Sequence, residues 1–328
     1  MQSLLSADLS RIVVLGTGGT IAGAADSPLD NLGYVAGRLG VETLAAAVAA
    51  LVATPLETEQ VAQVDSKDMD VDVWRLLVRR IEHHLARAQV SAIVVTHGSD
   101  TLEETAYLLQ RVLAPRKPVV LTAAMRPSTS LQADGPQNLL DALVVAQNFD
   151  ASGVVVVLAG TVHGGLAVRK VHTHRLNAFG SGEAGALGQV DAGRMRRFRE
   201  WPRCAPLGSK LLETSPWPRV EIVTSHACAS GAVVDALLLH GVDGIVAAGT
   251  GNGSLHHRLE AALLRAQSAG VVVWRSSRVA QGGVLQAPRD VLPHSAHLTA
   301  VQARIELTLH LLQERARGSG ERGVAAPT

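Results

Sequence analysis

Four times in the first half of the chain, a short run of valine and isoleucine stops at glycine, threonine or serine. Residues 12–15 run into Gly16-Thr-Gly-Gly-Thr20 and residues 92–95 into Thr96-His-Gly-Ser-Asp-Thr101. Residues 119–121 run into Thr122-Ala-Ala-Met-Arg-Pro-Ser128, and residues 154–158 into Ala159-Gly-Thr-Val-His163. Strands apolar at every position are buried on both faces, the condition of a parallel sheet covered by helices. Helical spacing between them reads as 41–52, 73–88 and 101–113, the last with an acidic first turn that complements the helix dipole. Ligands of an open parallel sheet bind beyond the carboxyl ends of its strands, so the four endings are predicted to converge.

The same alternation restarts at 220–224, at 244–248 before Gly249-Thr-Gly-Asn-Gly-Ser254, and at 271–274 before Arg275-Ser-Ser-Arg278. Between the two series, residues 191–218 hold Arg194, Arg196, Arg197, Arg199 and Arg203, several prolines, Trp201 and Trp217, with no sustained period. That segment reads as a linker. The expected architecture is α/β with two domains: a larger N-terminal catalytic domain over 1–190, with a mainly parallel sheet flanked by helices, and a smaller C-terminal α/β domain with a parallel sheet over 219–328. Residues beyond about Arg315 are rich in Gly, Arg and Ala and are expected to be disordered.

A formal charge of +1 offers no general field for nucleic acid or a lipid surface, and no apolar stretch approaches a membrane span. The arginines of 191–203 read as a solvated linker rather than an RNA contact. Residues 1–10 lack the basic and apolar regions of a signal peptide, so the expected location is cytoplasmic. Cys204 and Cys228 are the only cysteines, too few for a disulfide framework or a thiolate cluster. None of the 13 histidines forms a helical i,i+4 zinc pair with a supporting carboxylate, and no metal is expected. Gly16, Gly18 and Gly19 fail the dinucleotide spacing, whose third glycine would fall at Ile21, and no Lys-Ser/Thr pair follows as a phosphate loop requires. No cofactor is expected.

The strand ends together hold hydroxyls at Thr17, Thr20 and Ser99, with a further one at Ser66, a carboxylate at Asp100, and a base at Lys170 or Tyr34. A hydroxyl attacks a carbonyl poorly unless a neighbouring base takes its proton, and a lysine desolvated in a pocket can serve. Acyl transfer is the reaction class this set supports.

Thr17-Gly-Gly-Thr-Ile-Ala-Gly23, Thr96-His-Gly-Ser-Asp-Thr101 with Glu103-Glu-Thr105, and Ala124-Met-Arg-Pro-Ser-Thr-Ser130 with Ala133-Asp-Gly-Pro136 resemble the bacterial-type L-asparaginase family, including its glutaminase-asparaginase members. The resemblance continues through Gly249-Thr-Gly-Asn-Gly253 and Arg275-Ser-Ser-Arg-Val279, nearly the whole chain. It implies hydrolysis of L-asparagine to L-aspartate and ammonia through a threonine acyl-enzyme, with L-glutamine as a minor substrate. By this likeness Thr17 is the nucleophile, Thr20 braces the turn, and Gly18 and Gly19 leave room for the substrate. Tyr34 belongs to a mobile loop that closes over the site, with glycines at 23, 33 and 37 as its hinges. Ser99, Asp100 and Lys170 match a Thr-Asp-Lys set that activates the nucleophile or the deacylating water, with serine here in place of threonine. The Ser99 amide helps form an oxyanion hole.

The resemblance also implies that Ser66 and Asp100 hold the substrate's α-carboxylate and α-ammonium, with Ala124 in the same substrate-binding set. Lys67 stands where the family carries Gln or Glu, and a lysine there would repel the ammonium unless it points away or Asp68 compensates. Asn252 matches a residue lent to a neighbouring subunit's site, in a homotetramer built from dimers that share active sites. The family's partner glutamate has no counterpart, leaving Gln286 or Asp290 as stand-ins. Two other readings stay open: an amidase for another small amide, favoured by Lys67, and a non-catalytic amino-acid sensor.

Overall fold

The computed structural model describes residues 10–288 and 290–322, with side chains as far as 318. Two compact units divide it, at Ser209 and Lys210.

The first unit is built on an eight-stranded sheet. Its parallel part comprises β1 (Arg11–Gly18), β2 (Leu56–Val64), β3 (Val90–Thr96), β4 (Val119–Thr122) and β5 (Val154–Leu158). It continues antiparallel through β6 (Thr161–Gly164), and, past the small hairpin of β7 (Arg169–Lys170) and β8 (Phe179–Gly180), through β9 (Gly188–Asp191) and β10 (Arg194–Arg197). The spatial order is β10-β9-β6-β5-β4-β3-β1-β2.

The chain leaves β1 for β2 on one side and returns to β3 on the other, so the connections diverge at β1. A crevice opens at such a switch point, outside the carboxyl ends of the diverging strands. Register decides what lies there: Gly16 pairs with Thr96 of β3, Thr96 with Thr122 of β4, and Thr122 with Val157 of β5. The segments following this row are the sequence motifs, and they leave the sheet side by side.

Alternate residues of the central strands serve two apolar layers. Ile12, Val14, Ala92, Val94 and Val120 pack with Val41 and Val48 of α1 (Val41–Ala49) and with Leu139 and Leu143 of α4 (Gly135–Ala146). The opposite face is covered by α2 (Val71–Leu85) and α3 (Leu102–Leu113). Helix α2 starts where the Asp70 carboxylate accepts the Val73 amide at 2.9 Å, and it buries Trp74, Leu77, Val78 and Ile81, a stripe at helical spacing. All four apolar runs of the first domain are strands, as expected. Strand β2 gave no such signal: it is an edge strand, half-buried along most of its length, and its polar residues Glu57, Glu59 and Gln60 occupy alternate or adjacent positions.

The expected linker over 191–218 is corrected in its first part. Residues 188–197 form the β9–β10 hairpin of the large sheet, turned by Ala192 and Gly193 at φ 46° and 70°. An exposed edge strand reading Arg-Met-Arg-Arg carries no hydrophobic period, which hid it. Trp201, expected in the linker, is 3% exposed and belongs to the core of the first unit.

The second unit has a parallel sheet of β11 (Val220–Thr224), β12 (Gly244–Gly249) and β13 (Val272–Ser277), with β12 central. Ile245, Ala247 and Val273 pack against α5 (Ala232–Leu239) and α6 (His257–Ser268); Val220 and Val246 pack against Leu307 and Leu311 of α7 (Ala300–Arg322). Helix α7 passes Arg315, so the expected disorder does not begin there, and the remainder of that expectation lies outside the described residues.

Candidate active site

Two glycine turns interlock at the end of β1. Gly18 and Gly19 have φ of 101° and 78°, which side chains disfavour. A Cβ on Gly19 would sit 2.2 Å from the Gly98 Cα, and one on Gly18 2.5 Å from the Val64 carbonyl oxygen. These glycines therefore bring backbone against backbone, joining the turn after β1 to that after β3 and to the end of β2. The expected role of leaving room for substrate is not what their geometry shows.

The two threonines flanking them face different surroundings. Strand β1 continues through Gly18, so Thr17 is a strand residue, 1% exposed, and its hydroxyl donates to the Thr96 carbonyl at 3.1 Å. Thr20 follows the reversal and heads a single helical turn (Thr20–Ala22). Its Oγ1 lies 2.6 Å from the Tyr34 hydroxyl, and both residues line a cavity of about 520 Å³. Thr17, expected as the nucleophile, is bonded within the sheet, whereas Thr20, expected to brace the turn, lines the cavity.

Tyr34 reaches Thr20 because its loop is tied down. Ala24 and Val35 bridge across the base of the loop. The Leu32 and Gly33 amides both donate to the Asp30 carboxylate, which lowers the Asp30 pKa through the Gly33 bond first and the Leu32 bond second. The segment after β4 holds the far side: Thr129 Oγ1 accepts the Ala25 amide at 2.9 Å, and the Ser130 hydroxyl donates to Asn31 Oδ1 at 2.7 Å. Asn31 and Leu32 line the cavity with Tyr34.

Opposite them stands the second group. Lys170, on the β7 hairpin, donates to the Ser99 hydroxyl at 2.9 Å and to Asp100 Oδ1 at 2.6 Å. Serine lacks the methyl group that limits the rotamers of threonine, and this bond holds its hydroxyl in place. Glu103, in the first turn of α3, accepts the Lys170 backbone amide; burial, the largest influence, raises its pKa to about 7. Ser66 is 2% exposed and accepts the Asp100 amide at 3.2 Å, while its carbonyl accepts the Thr101 hydroxyl at 2.7 Å. Ala124 is fully buried against Ile21 and Ala22. Asp134 organises the turn after it by accepting the Met125 and Arg126 amides.

Lys67 takes no part in the cavity lining. Its side chain, 61% exposed, pairs with Asp68 at 2.6 Å and Asp65 at 3.2 Å, and its pKa is raised chiefly by the Asp68 bond. The lysine is thus held by its acidic neighbours outside the cavity lining.

The cavity thus gathers Thr20, Tyr34, Ser99, Asp100 and Lys170 from the expected set. Met125, Arg126, Thr173 and His174 line it as well and were not expected. Arg126 is held by the Met125 and His174 carbonyls, so the β4 turn and the β7–β8 connection meet there. The signal for them was present in the Arg126-Pro-Ser motif and in His172-x-His174, but neither spacing names a contact. The volume lies in the range of small-molecule sites. Among the described residues, no cluster of three or more His, Cys, Asp or Glu is placed to hold a metal ion.

In the second unit, Asn252 lies in the turn after β12. Its Nδ2 donates to the Leu285 carbonyl at 2.9 Å and its Oδ1 accepts the Leu285 amide at 2.8 Å. Asp290, one candidate stand-in for a glutamate, is paired with Arg275 at 2.6 Å and accepts the Ala287 amide; Gln286 donates to the Asp290 carbonyl at 3.3 Å.

A parallel sheet whose switch point gathers a hydroxyl, a tyrosine and a lysine–carboxylate pair defines an α/β enzyme of the hydrolase class. The asparaginase N-terminal family model matches residues 11–203, and the glutaminase/asparaginase C-terminal domain model matches residues 219–319. The chain is 38% identical to L-asparaginase 2 of Escherichia coli (strain K12) over 317 residues, covering 94% of this chain and 90% of that protein. It is 37% identical to the glutaminase-asparaginase of Pseudomonas fluorescens biotype A over 280 residues, 84% of this chain and 77% of that one. The crystal structure of a probable cytoplasmic L-asparaginase from Campylobacter jejuni superimposes with a TM-score of 0.86 at 35% identity, covering 93% of this chain and 98% of that one. The chain belongs to the asparaginase family.

Proposed function

We propose that the protein hydrolyses L-asparagine to L-aspartate and ammonia, with L-glutamine as a slower substrate. The observation that carries this reading is the 2.6 Å pair of Thr20 and Tyr34 facing Lys170, Ser99 and Asp100 across one cavity. The glutaminase-asparaginase of Pseudomonas fluorescens supports the second substrate.

Thr20 is the nucleophile in this proposal, in place of Thr17, whose hydroxyl is already committed inside the sheet. Thr20 Oγ1 bonds to the amide carbon as its proton passes to the Tyr34 oxygen, the Tyr34 hydroxyl gives its own proton to the amide nitrogen, and the C–N bond breaks to release ammonia. Water then attacks the ester, aspartate departs, and the proton returns to Thr20. Lys170 orients the Ser99 hydroxyl beside the reacting carbonyl and holds the Asp100 carboxylate, which accepts from the substrate's ammonium. Ser66 and Asp100 bind the α-carboxylate and α-ammonium, Ala124 shapes the floor, and Lys67 stays outside.

Asn252 completes a neighbouring subunit's site in a homotetramer of dimers; its second amide proton is available after the Leu285 bond. The cytoplasm is the proposed compartment, supported by the description of the Campylobacter neighbour, although a Haemophilus influenzae relative at 38% identity is described as probable periplasmic. Sedimentation and cell fractionation test these two points. The function is tested by ammonia release from L-asparagine, L-glutamine and simple amides; absence of turnover on all of them, with aspartate still bound, would establish a sensor instead.

A further inference from the structure

Beneath the cavity, three buried side chains form a hydrogen-bonded line that ends on the peptide preceding Ser99. The Trp74 indole N–H donates to Thr105 Oγ1 at 2.9 Å, Thr105 Oγ1 lies 3.0 Å from His97 Nε2, and His97 Nδ1 lies 2.8 Å from the Gly98 carbonyl oxygen. Trp74, Thr105 and His97 are 6%, 0% and 0% exposed, so no solvent competes for these bonds. Chemistry fixes their directions. A carbonyl oxygen only accepts, so the imidazole proton is on Nδ1; the neutral ring then accepts at Nε2, from the Thr105 hydroxyl, which in turn accepts from the indole. Burial pushes the His97 pKa down to about 4, which keeps the ring neutral near neutral pH.

A trans peptide is planar, with its C=O and N–H pointing in opposite directions. Holding the Gly98 carbonyl toward the buried imidazole therefore turns the Ser99 N–H the other way, toward the cavity that Ser99 lines. That N–H has no partner among the described residues, whereas the nearby amides of His97 and Asp100 are bound by the Thr122 carbonyl at 2.9 Å and the Ser66 hydroxyl at 3.2 Å. Glycine at 98 is required because a Cβ there would lie 2.4 Å from Ser66 Oγ. The same absence of a side chain leaves the Gly98–Ser99 peptide the easiest in the turn to rotate. A pin on its carbonyl counters that freedom.

We infer that Trp74, Thr105 and His97 are positioning residues that aim the Ser99 N–H at the oxyanion formed during acyl transfer. The inference rests on the acyl-transfer reading of the site. Thr105→Val keeps the volume but removes the hydroxyl that donates to Nε2, so the ring loses the bond that fixes its orientation and holds its Nδ1–H on the Gly98 carbonyl. Loss of one oxyanion donor lowers kcat by roughly 100- to 1000-fold in other hydrolases, and partial misalignment should fall below that.

The test measures asparagine hydrolysis and aspartate binding in the wild type, Thr105→Val, Thr105→Ser and Trp74→Phe, with the His97 tautomer read by ¹⁵N NMR. For Thr105→Val, kcat should drop at least ~10-fold while KM and aspartate Kd stay within about twofold; Thr105→Ser should recover at least about a third of the wild-type kcat. The wild-type spectrum should show His97 protonated on Nδ1 alone near neutral pH. An unchanged kcat in folded Thr105→Val, a defect confined to KM, or a wild-type proton on Nε2 overturns the proposal. Should Thr105→Val fail to fold, Trp74→Phe carries the same kcat criterion. A wild type inactive on every amide refutes the acyl-transfer reading, while its tautomer still decides whether the relay holds the peptide.

Discussion

The turn after β1 and the turn after β12 are built from the same parts: each follows a central parallel strand, and each mixes glycines with small polar residues. Their polar groups end differently. In the first unit, Thr20 is bonded to a tyrosine on a loop and faces a cavity with a lysine and a carboxylate. In the second, Thr250 and Ser254 bridge one another, the Ser277 hydroxyl donates to the Gly251 carbonyl, and Asn252 clamps Leu285 on both amide atoms. One turn presents chemistry and the other chiefly holds its own loop. A strand end beside a topological switch point has a crevice to fill, whereas the turn after β12 spends most of its hydrogen-bonding capacity on its neighbours.

The sharpest way to break this contrast is at the hydroxyls. Thr20→Ala should lower ammonia release from L-asparagine by at least ~1000-fold, and Thr17→Val by less than ~10-fold, because only the first removes the proposed attacking atom. Reversed results in folded proteins would return the nucleophile to Thr17. Lys170→Met comes next, with a fall in kcat of ~100-fold or more.

A third contrast concerns pH. Glu103 touches the Lys170 amide and has its pKa raised to about 7, above the ordinary value of 4.5. Between these values the folded protein holds a proton that the unfolded chain has released, so this contribution to stability is full below pH 4.5 and is lost as the pH rises through 7. The loss is on the order of 3 kcal/mol at most, and Glu103→Gln should flatten the slope in urea unfolding between pH 5 and about 8. An unchanged slope would show that Glu103 titrates normally. The smallest effect is expected at Asn252→Ala: a rise in KM of roughly threefold to tenfold with little change in kcat, and a stability loss of about 1 kcal/mol from the Leu285 bonds. A loss of thermal stability with KM unaltered would make the second turn purely structural.

Much of this arrangement is legible in residue order. Runs apolar at every position declare strands buried on both faces, and the motifs at their ends name the residues that meet. Two of the strands without such a run, β2 and β10, are the edges of the large sheet. Strand β2, half-buried along most of its length, sets four polar residues in succession at 57–60, and β10, with four exposed or half-exposed residues, has no pattern to find. Lys67 shows a different limit: its type and its acidic neighbours are in the sequence, but the direction of its side chain is not.

Thr17 and Thr20 mark the boundary most clearly. The order of residues alone determined that two hydroxyls flank two glycines at the end of a buried strand, in a chain whose other strand ends carry Ser99, Asp100 and the motif after β4. Which hydroxyl opens on the cavity was decided by tertiary structure. The strand runs on through Gly18 and buries Thr17 against Thr96, and the positive φ angles of Gly18 and Gly19 reverse the chain and place Thr20 under Tyr34. Two identical side chains three positions apart differ only in which group each one meets, and that is set by register and backbone reversal rather than by residue type.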